Sequence, residues 1–287
     1  MKRPIIITTL VILASCATQE LRRSGAKDTA ISGDPVQSAR VRSLLDQGNL
    51  ALVKRDYRTA ENKAQESLQV LQTHQGHYLL GMVYKEQGKT DEALQSLLRA
   101  EELAPDQEQI LLSLGLLYGS RGDLDLSLKR FQRLLELHPD DPAYNYRAGV
   151  LNKEKKNYES SLSLLKKADV DGFEYRDQAL LQLGDVCLEL RRFDEADEYF
   201  RRAQRANPKM QDALKGRDAS QTARLLEQGN LFFHKKDYAR AEAFFREAMQ
   251  LSPRSPGPRL QLGSVFLARG NVAGARKEFD EALRVSP

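Results

Sequence analysis

Any chemistry in this 287-residue chain must come from two cysteines, four histidines and a few acidic clusters. Cys187 is the thiol to weigh as a nucleophile, which would need an activating base beside it. It stands three residues after Gly184, where matching segments place Tyr84, Tyr118, Phe232 and Phe266 three residues after their own glycines. A packing thiol is therefore the expectation. His74, His77, His138 and His234 fall in no metal-ligand spacing and in no His-Glu-x-x-His segment. Asp169-Val170-Asp171-Gly172 begins like a calcium loop but lacks the third alternating ligand and the distal Glu, so a polar turn is expected. No glycine loop of the phosphate-binding kind is present. The reading assigns no catalytic residue, no metal, no cofactor and no small-molecule substrate.

Cys16 is different, because it is placed to be modified. Lys2 and Arg3 precede a run from Ile5 to Leu13 that is apolar apart from Thr8 and Thr9. The run is short against the ~20 apolar residues that a spanning helix needs, and it reads as a secretory signal. Leu13-Ala14-Ser15-Cys16 resembles the bacterial lipobox. That resemblance implies cleavage before Cys16, a diacylglyceryl thioether on its sulfur and an acyl chain on its new amino group. Several chains, at ~0.8 kcal/mol per buried methylene, hold far more firmly than one. Ala17, where an Asp would signal retention at the inner membrane, implies the outer membrane by the same resemblance.

Removing Lys2 and Arg3 takes the formal charge from +4 to +2 (4 − 2), which offers no basic field for nucleic acid. With Cys16 lipidated, Cys187 has no partner for an intramolecular disulfide. Charged residues at 29%, aromatics at 7% and the absence of Trp point to helical repeats over a β-rich domain.

The elements that position everything else come from a repeat. Gly48, Gly81, Gly115, Gly149, Gly184, Gly229 and Gly263 are spaced by 33, 34, 34, 35, 45 and 34 residues. Twelve residues after each comes a small one: Ala60, Ala93, Ser127, Ser161, Ala196, Ala241 and Ala275. Four further on stand Ala64, Leu97, Phe131, Leu165, Phe200, Phe245 and Phe279. Prolines 105, 139, 208, 253 and 287 close five of the units. Two antiparallel helices that cross closely need glycine and small residues at the crossing and a bulky residue beside them. This pattern resembles the tetratricopeptide repeat, and it implies an all-α solenoid of seven helix-turn-helix units winding as a right-handed superhelix. Turns are expected at Arg55-Asp56, Gly88-Lys89, Gly122-Asp123, Lys156-Asn157, Lys236-Asp237 and Gly270-Asn271. Repeat 4 departs most from the pattern, with Asn152 at an apolar place and no closing proline.

The predicted organisation is a signal over 1–15, a lipidated Cys and tether over 16–40, five repeats over 41–210, an insert over 211–221 and two repeats over 222–287. The insert reads as a hinge or a small extra helix. Asp34-Pro35 could start the first helix ahead of the formal repeat. Repeats 1 and 6 are alike, Leu44-Leu45-Asp46-Gln47-Gly48-Asn49-Leu50 matching Leu225-Leu226-Glu227-Gln228-Gly229-Asn230-Leu231, as if each opened a sub-array.

In such solenoids the first helix of each pair lines the concave side. The resemblance carries ligand contact onto Asn49, Leu52, Val53, Tyr78, Met82, Lys85, Leu112 and Leu116. It continues with Tyr146, Val150, Lys153, Leu181, Asp185, Leu188, Asn230, Phe233 and His234. The apolar mixture suits an amphipathic helix or an extended peptide with hydrophobic anchors. It suits the interior of a tightly wound superhelix as well, and the sequence leaves both readings open. A carboxylate clamp of the kind that chaperone-binding repeats use is not expected, since Leu45 and Leu226 stand where its lysine would be.

The implied protein is a non-enzymatic, lipid-anchored scaffold facing the periplasm and binding protein partners of the cell envelope. A more specific resemblance is to the lipoprotein pilotins of type IV pilus secretins, through the lipobox, the repeats and the loop Phe173 to Asp177 after repeat 4. The alternative of another class is an enzyme or enzyme-regulating subunit with a site near 211–221. At the C-terminal repeat, Arg276, Lys277, Glu278, Asp280, Glu281 and Arg284 offer a polar outer face; otherwise this repeat is an edge for a partner or for self-association.

Overall fold

Periodic glycines can set a helical crossing only if bulky neighbours fill the space they leave, and the computed structural model of the chain shows that arrangement over the residues it describes, 34–285. The signal-like segment, Cys16 and residues 17–33 lie outside the described residues. Fourteen helices and no strand occur among the described residues. In unit order they pair as α1 (Pro35–Val53) with α2 (Tyr57–Val70), α3 (His74–Glu86) with α4 (Thr90–Leu103), and α5 (Glu108–Arg121) with α6 (Leu124–Leu137). Then come α7 (Pro142–Glu154) with α8 (Tyr158–Lys167), and α9 (Arg176–Glu189) with α10 (Phe193–Ala206). The last pairs are α11 (Gln211–His234) with α12 (Tyr238–Leu251), and α13 (Pro256–Ala268) with α14 (Val272–Val285). The first helix begins at Pro35, six residues ahead of the expected start of the formal repeat at 41. Proline suits this first position because its missing N–H would be unpaired there anyway.

The glycines act by size. A Cβ built on Gly184 would sit 2.5 Å from the Phe200 ring, and one on Gly149 would sit 2.7 Å from Leu165. In repeat 1 the bulky place holds Ala64, and Leu79 of the next repeat fills the gap instead, 2.6 Å from a Cβ on Gly48. Repeats 3 and 4 have serine where the others have alanine. Both hydroxyls are buried, and each donates a 2.7 Å bond to the carbonyl of the facing glycine, Ser127 to Gly115 and Ser161 to Gly149. The misfit of repeat 4 is met in the same way: buried Asn152 donates to the Ala148 carbonyl at 2.8 Å.

Every turn inside a repeat uses one left-handed residue seven places after its glycine. Gly88, Gly122 and Gly270 supply it in three repeats. Arg55, Lys156, Arg191 and Lys236 supply it in the other four, at φ between 59° and 62°. A side chain at that conformation costs of order 1–2 kcal/mol over glycine. The residue that follows can cap the next helix: Asp56 accepts from the Thr59 amide at 3.1 Å and Asp237 from the Arg240 amide at 3.2 Å.

The described residues divide into two compact units, with the boundary between residues 139 and 140. The division falls between repeats 3 and 4, and not at 211–221 where the sequence suggests a break. No hinge or separate helix forms there. Residues 211–221 are the N-terminal half of α11, which runs unbroken through Gly216 to His234. Ala213 is buried in the core shared by α9 and α10, and a Cβ on Gly216 would lie 2.5 Å from the Phe200 ring. Phe200 is thus held between Gly184 and Gly216, and the first half of α11 takes the place of a following repeat's first helix.

Candidate partner-binding faces

Within each unit the first helices lie against one another, α1 with α3 and, in the second unit, α7 with α9, α9 with α11 and α11 with α13. Each second helix packs against the first helix that follows within its unit. The first helices therefore form a layer in each unit, which α5 joins in the first unit through Ser113, and side chains pointing away from the crossings line it.

In the first unit the expected contact residues separate into two groups. Leu52, Met82 and Leu112 are buried, at 8%, 4% and 8% exposure, and belong to the interior. Asn49 and Val53 are exposed, and Tyr78, Lys85 and Leu116 are half-buried. Ser113 ties α5 to α3, its hydroxyl donating to Tyr78 Oη at 3.5 Å with Met82 Sδ at 3.8 Å.

In the second unit Tyr146 is buried, and burial raises its hydroxyl above the ordinary tyrosine range. Its ring stacks on Tyr175 at 6.5 Å and meets Phe173 edge-on at 6.1 Å. Val150, Leu181 and Leu188 are half-buried against the same core. Lys153 and Asp185, both expected to contact a ligand, pair with each other at 2.5 Å, and Lys153 also donates to Gln182 at 2.7 Å. Asn230 and Phe233 are half-buried, and His234 is exposed. Phe233 packs edge-on against Tyr238 at 5.6 Å. Leu45 is buried and Leu226 packs against the core, so the clamp positions serve packing.

The groups weighed for chemistry are engaged structurally. Cys187 is fully buried, and burial pushes its thiol up to about 11, so it is protonated at neutral pH and a poor nucleophile. Asp169 accepts from Arg176 at 2.9 Å and from Arg202 at 2.5 Å, and Gly172 turns the loop at φ 84°. That loop is a polar turn held by arginines. In the lengthened half of α11, Arg217 reaches Gln204 at 3.2 Å and Gln221 reaches Asp197 at 3.2 Å. Among the described residues no group of three His, Cys, Asp or Glu is placed to hold a metal, and no helix is long and apolar enough to cross a membrane.

Sequence reasoning named Tyr146 and the Phe173 to Asp177 loop separately and missed that their rings meet, and it missed Gln182. Phe173 and Tyr175 lie in the loop before α9, off the 34-residue register. Gln182 lies 29 residues beyond Lys153, six short of the local 35-residue spacing and so off the register of the expected contacts.

Fold and site together define an α-solenoid of stacked helix pairs, a protein-binding class. The chain belongs to the tetratricopeptide repeat family: one tetratricopeptide repeat profile matches residues 112–174, 170–211 and 181–256, just over half of the chain. Further repeat profiles match 81–120 and 232–287. A tetratricopeptide repeat protein from Parabacteroides merdae is similar in structure, with 21% identity over 87% of this chain and 94% of that one, at a TM-score of 0.55. MamA AMB-1 aligns at 20% identity over 60% of this chain and 93% of its own, at a TM-score of 0.53. Pseudomonas aeruginosa PilF aligns at 20% identity over 75% and 92%, and its TM-score of 0.43 carries no argument about role. No curated protein matches the chain.

Proposed function

We propose that this protein is a membrane-anchored, periplasm-facing scaffold that holds partner proteins of a cell-envelope complex and performs no covalent chemistry itself. The observation that carries the scaffold is the layer of first helices in each unit. It offers half-buried apolar side chains, such as Leu181, Leu188 and Phe233, beside polar ones, such as Asn49 and Asn230. A surface of that composition receives an amphipathic helix or an extended peptide. The anchor rests on Leu13-Ala14-Ser15-Cys16 alone. Metabolic labelling with a radioactive fatty acid tests it: label on the wild type and none on Cys16→Ala is the expected result. Unlabelled wild type, or label that survives Cys16→Ala, would contradict it.

Within the same class, a pilotin role in secretin assembly is the more specific reading, favoured by the lipobox and by the Phe173–Tyr175 loop after repeat 4. Crosslinked recovery of a secretin from the native envelope supports it. Recovery of barrel-assembly or cell-wall proteins instead removes the pilus role and keeps the scaffold. An enzyme site near 211–221 has little support, since that segment packs on α10 as continuous helix.

A further inference from the structure

Repeats 6 and 7 carry large apolar residues at four matching places, and only one of the two sets is covered among the described residues. In repeat 6 these are Leu226 and Phe233 of α11 and Tyr238 and Met249 of α12, all packed against the cluster that holds Leu262 and Val265 of α13. Thirty-four residues on stand Leu260 and Leu267 of α13 and Val272 and Leu283 of α14, exposed at 44%, 54%, 64% and 65%. Single exposed leucines are ordinary on a protein surface, but four gathered on one repeat end mark an interaction site. This end continues an interface that the chain has already built once.

The charge beside it is reversed. Beside the apolar core that joins repeats 6 and 7, Glu242 of α12 accepts from Arg269, just past the end of α13, at 2.9 Å, and from Arg246 of its own helix at 2.7 Å. Thirty-four residues after Glu242 stands Arg276, its side chain 85% exposed and its nearest carboxylate, Asp280, 3.8 Å away. A helix that docks as α13 does, with a basic residue at the place of Arg269, would meet Arg276 with like charge. A helix with a carboxylate at that place would pair with it.

We infer that the α13–α14 end face docks an amphipathic helix of a partner protein, apolar along one side and acidic where α13 has Arg269. A second copy stacked through its α1 has an exposed leucine, Leu50, at the place of Val265, but fits poorly elsewhere. At the places of Pro258 and Leu262 it has polar Ser43 and Gln47, and Lys54, just past the end of α1, repeats the cation of Arg269. The chain's own apolar run, Ile5 to Leu13, is led by Lys2 and Arg3 and has the same wrong sign.

The probe is a helix-stabilised, fluorescent peptide of residues 256–269 in two forms, one with Arg269 kept and one with Arg269→Glu, titrated into the full-length protein. The Glu form is expected to bind about fivefold more tightly, the size that swapping one exposed charge pair provides. Leu283→Glu in the protein should weaken both forms by about tenfold. Arg276→Glu should reverse the preference, so that the Arg form becomes the tighter one. Both substituted side chains are exposed, and an unchanged circular dichroism spectrum verifies the fold. Saturable binding by neither peptide, or a preference that Arg276→Glu leaves unchanged, overturns the proposal. A Leu283-dependent dimer in sedimentation that excludes the peptides also overturns it, by making a second copy the occupant.

Discussion

Repeats 1 and 6 begin with almost the same seven residues, and in the folded protein they share an exposure that the other repeats do not have. Two places after the crossing glycine, Val83, Leu117, Leu151, Val186 and Val265 are buried, between 0% and 8% exposed. Leu50 and Leu231 occupy that place in repeats 1 and 6 and are 55% and 52% exposed. The reasons differ. Repeat 1 has no preceding repeat among the described residues. Repeat 6 has one, but repeat 5 packs on the lengthened N-terminal half of α11 and leaves Leu231 bare. Sequence likeness here reports a shared environment, the opening of a sub-array, reached in repeat 6 by making one helix serve two stacking levels.

The largest effect expected from breaking this arrangement is at Phe200, the side chain held between Gly184 and Gly216. Phe200→Ala should cost about 3–5 kcal/mol, read by urea denaturation of the purified protein. A loss under about 1 kcal/mol would mean that α11 does not rest on α10 through this ring. Gly216→Ala separates the lengthened helix from a hinge by sign. A free helical position would gain about 1 kcal/mol from the change. Contact with Phe200 instead predicts a loss of about 1–3 kcal/mol.

Repeats 1 and 6 also share a cation in the left-handed turn, Arg55 and Lys236. Replacing either with glycine relieves backbone strain and is expected to stabilise by about 0.5–1 kcal/mol, since the greater freedom of glycine in the unfolded chain returns part of the gain. Thermal melts of Arg55→Gly and Lys236→Gly that fall below wild type would contradict the turn geometry. The smallest effects belong to the exposed leucines. Leu50→Gln and Leu231→Gln should each change stability by less than about 0.5 kcal/mol, while Val265→Ala, at the buried version of the place, should cost more than either.

The helical crossings were legible because glycine, small and bulky residues recur with one period and each has one steric job. The turns were legible as turns, but nothing in Arg55, Lys156, Arg191 or Lys236 signals a left-handed backbone except their alignment with Gly88, Gly122 and Gly270. The 211–221 segment misled because extra length and a glycine suggest a break, whereas Ala213 and Gly216 fall on the helical face that meets α10. The candidate face was legible only as a register. Sequence could not say that Leu52, Met82, Leu112 and Tyr146 are buried, nor that Lys153 and Asp185 neutralise each other, because both depend on how closely neighbouring first helices approach.

The scaffold account is tested most directly by photo-crosslinking in the native envelope. A photoreactive amino acid is placed singly at Asn49, Val53 or His234, exposed on first helices, and at Lys129 or Arg133 of the second helix α6 as controls. The account predicts discrete adducts with envelope proteins from the first-helix sites and none from the controls. Adducts from the controls alone, or from no site at all, would contradict it.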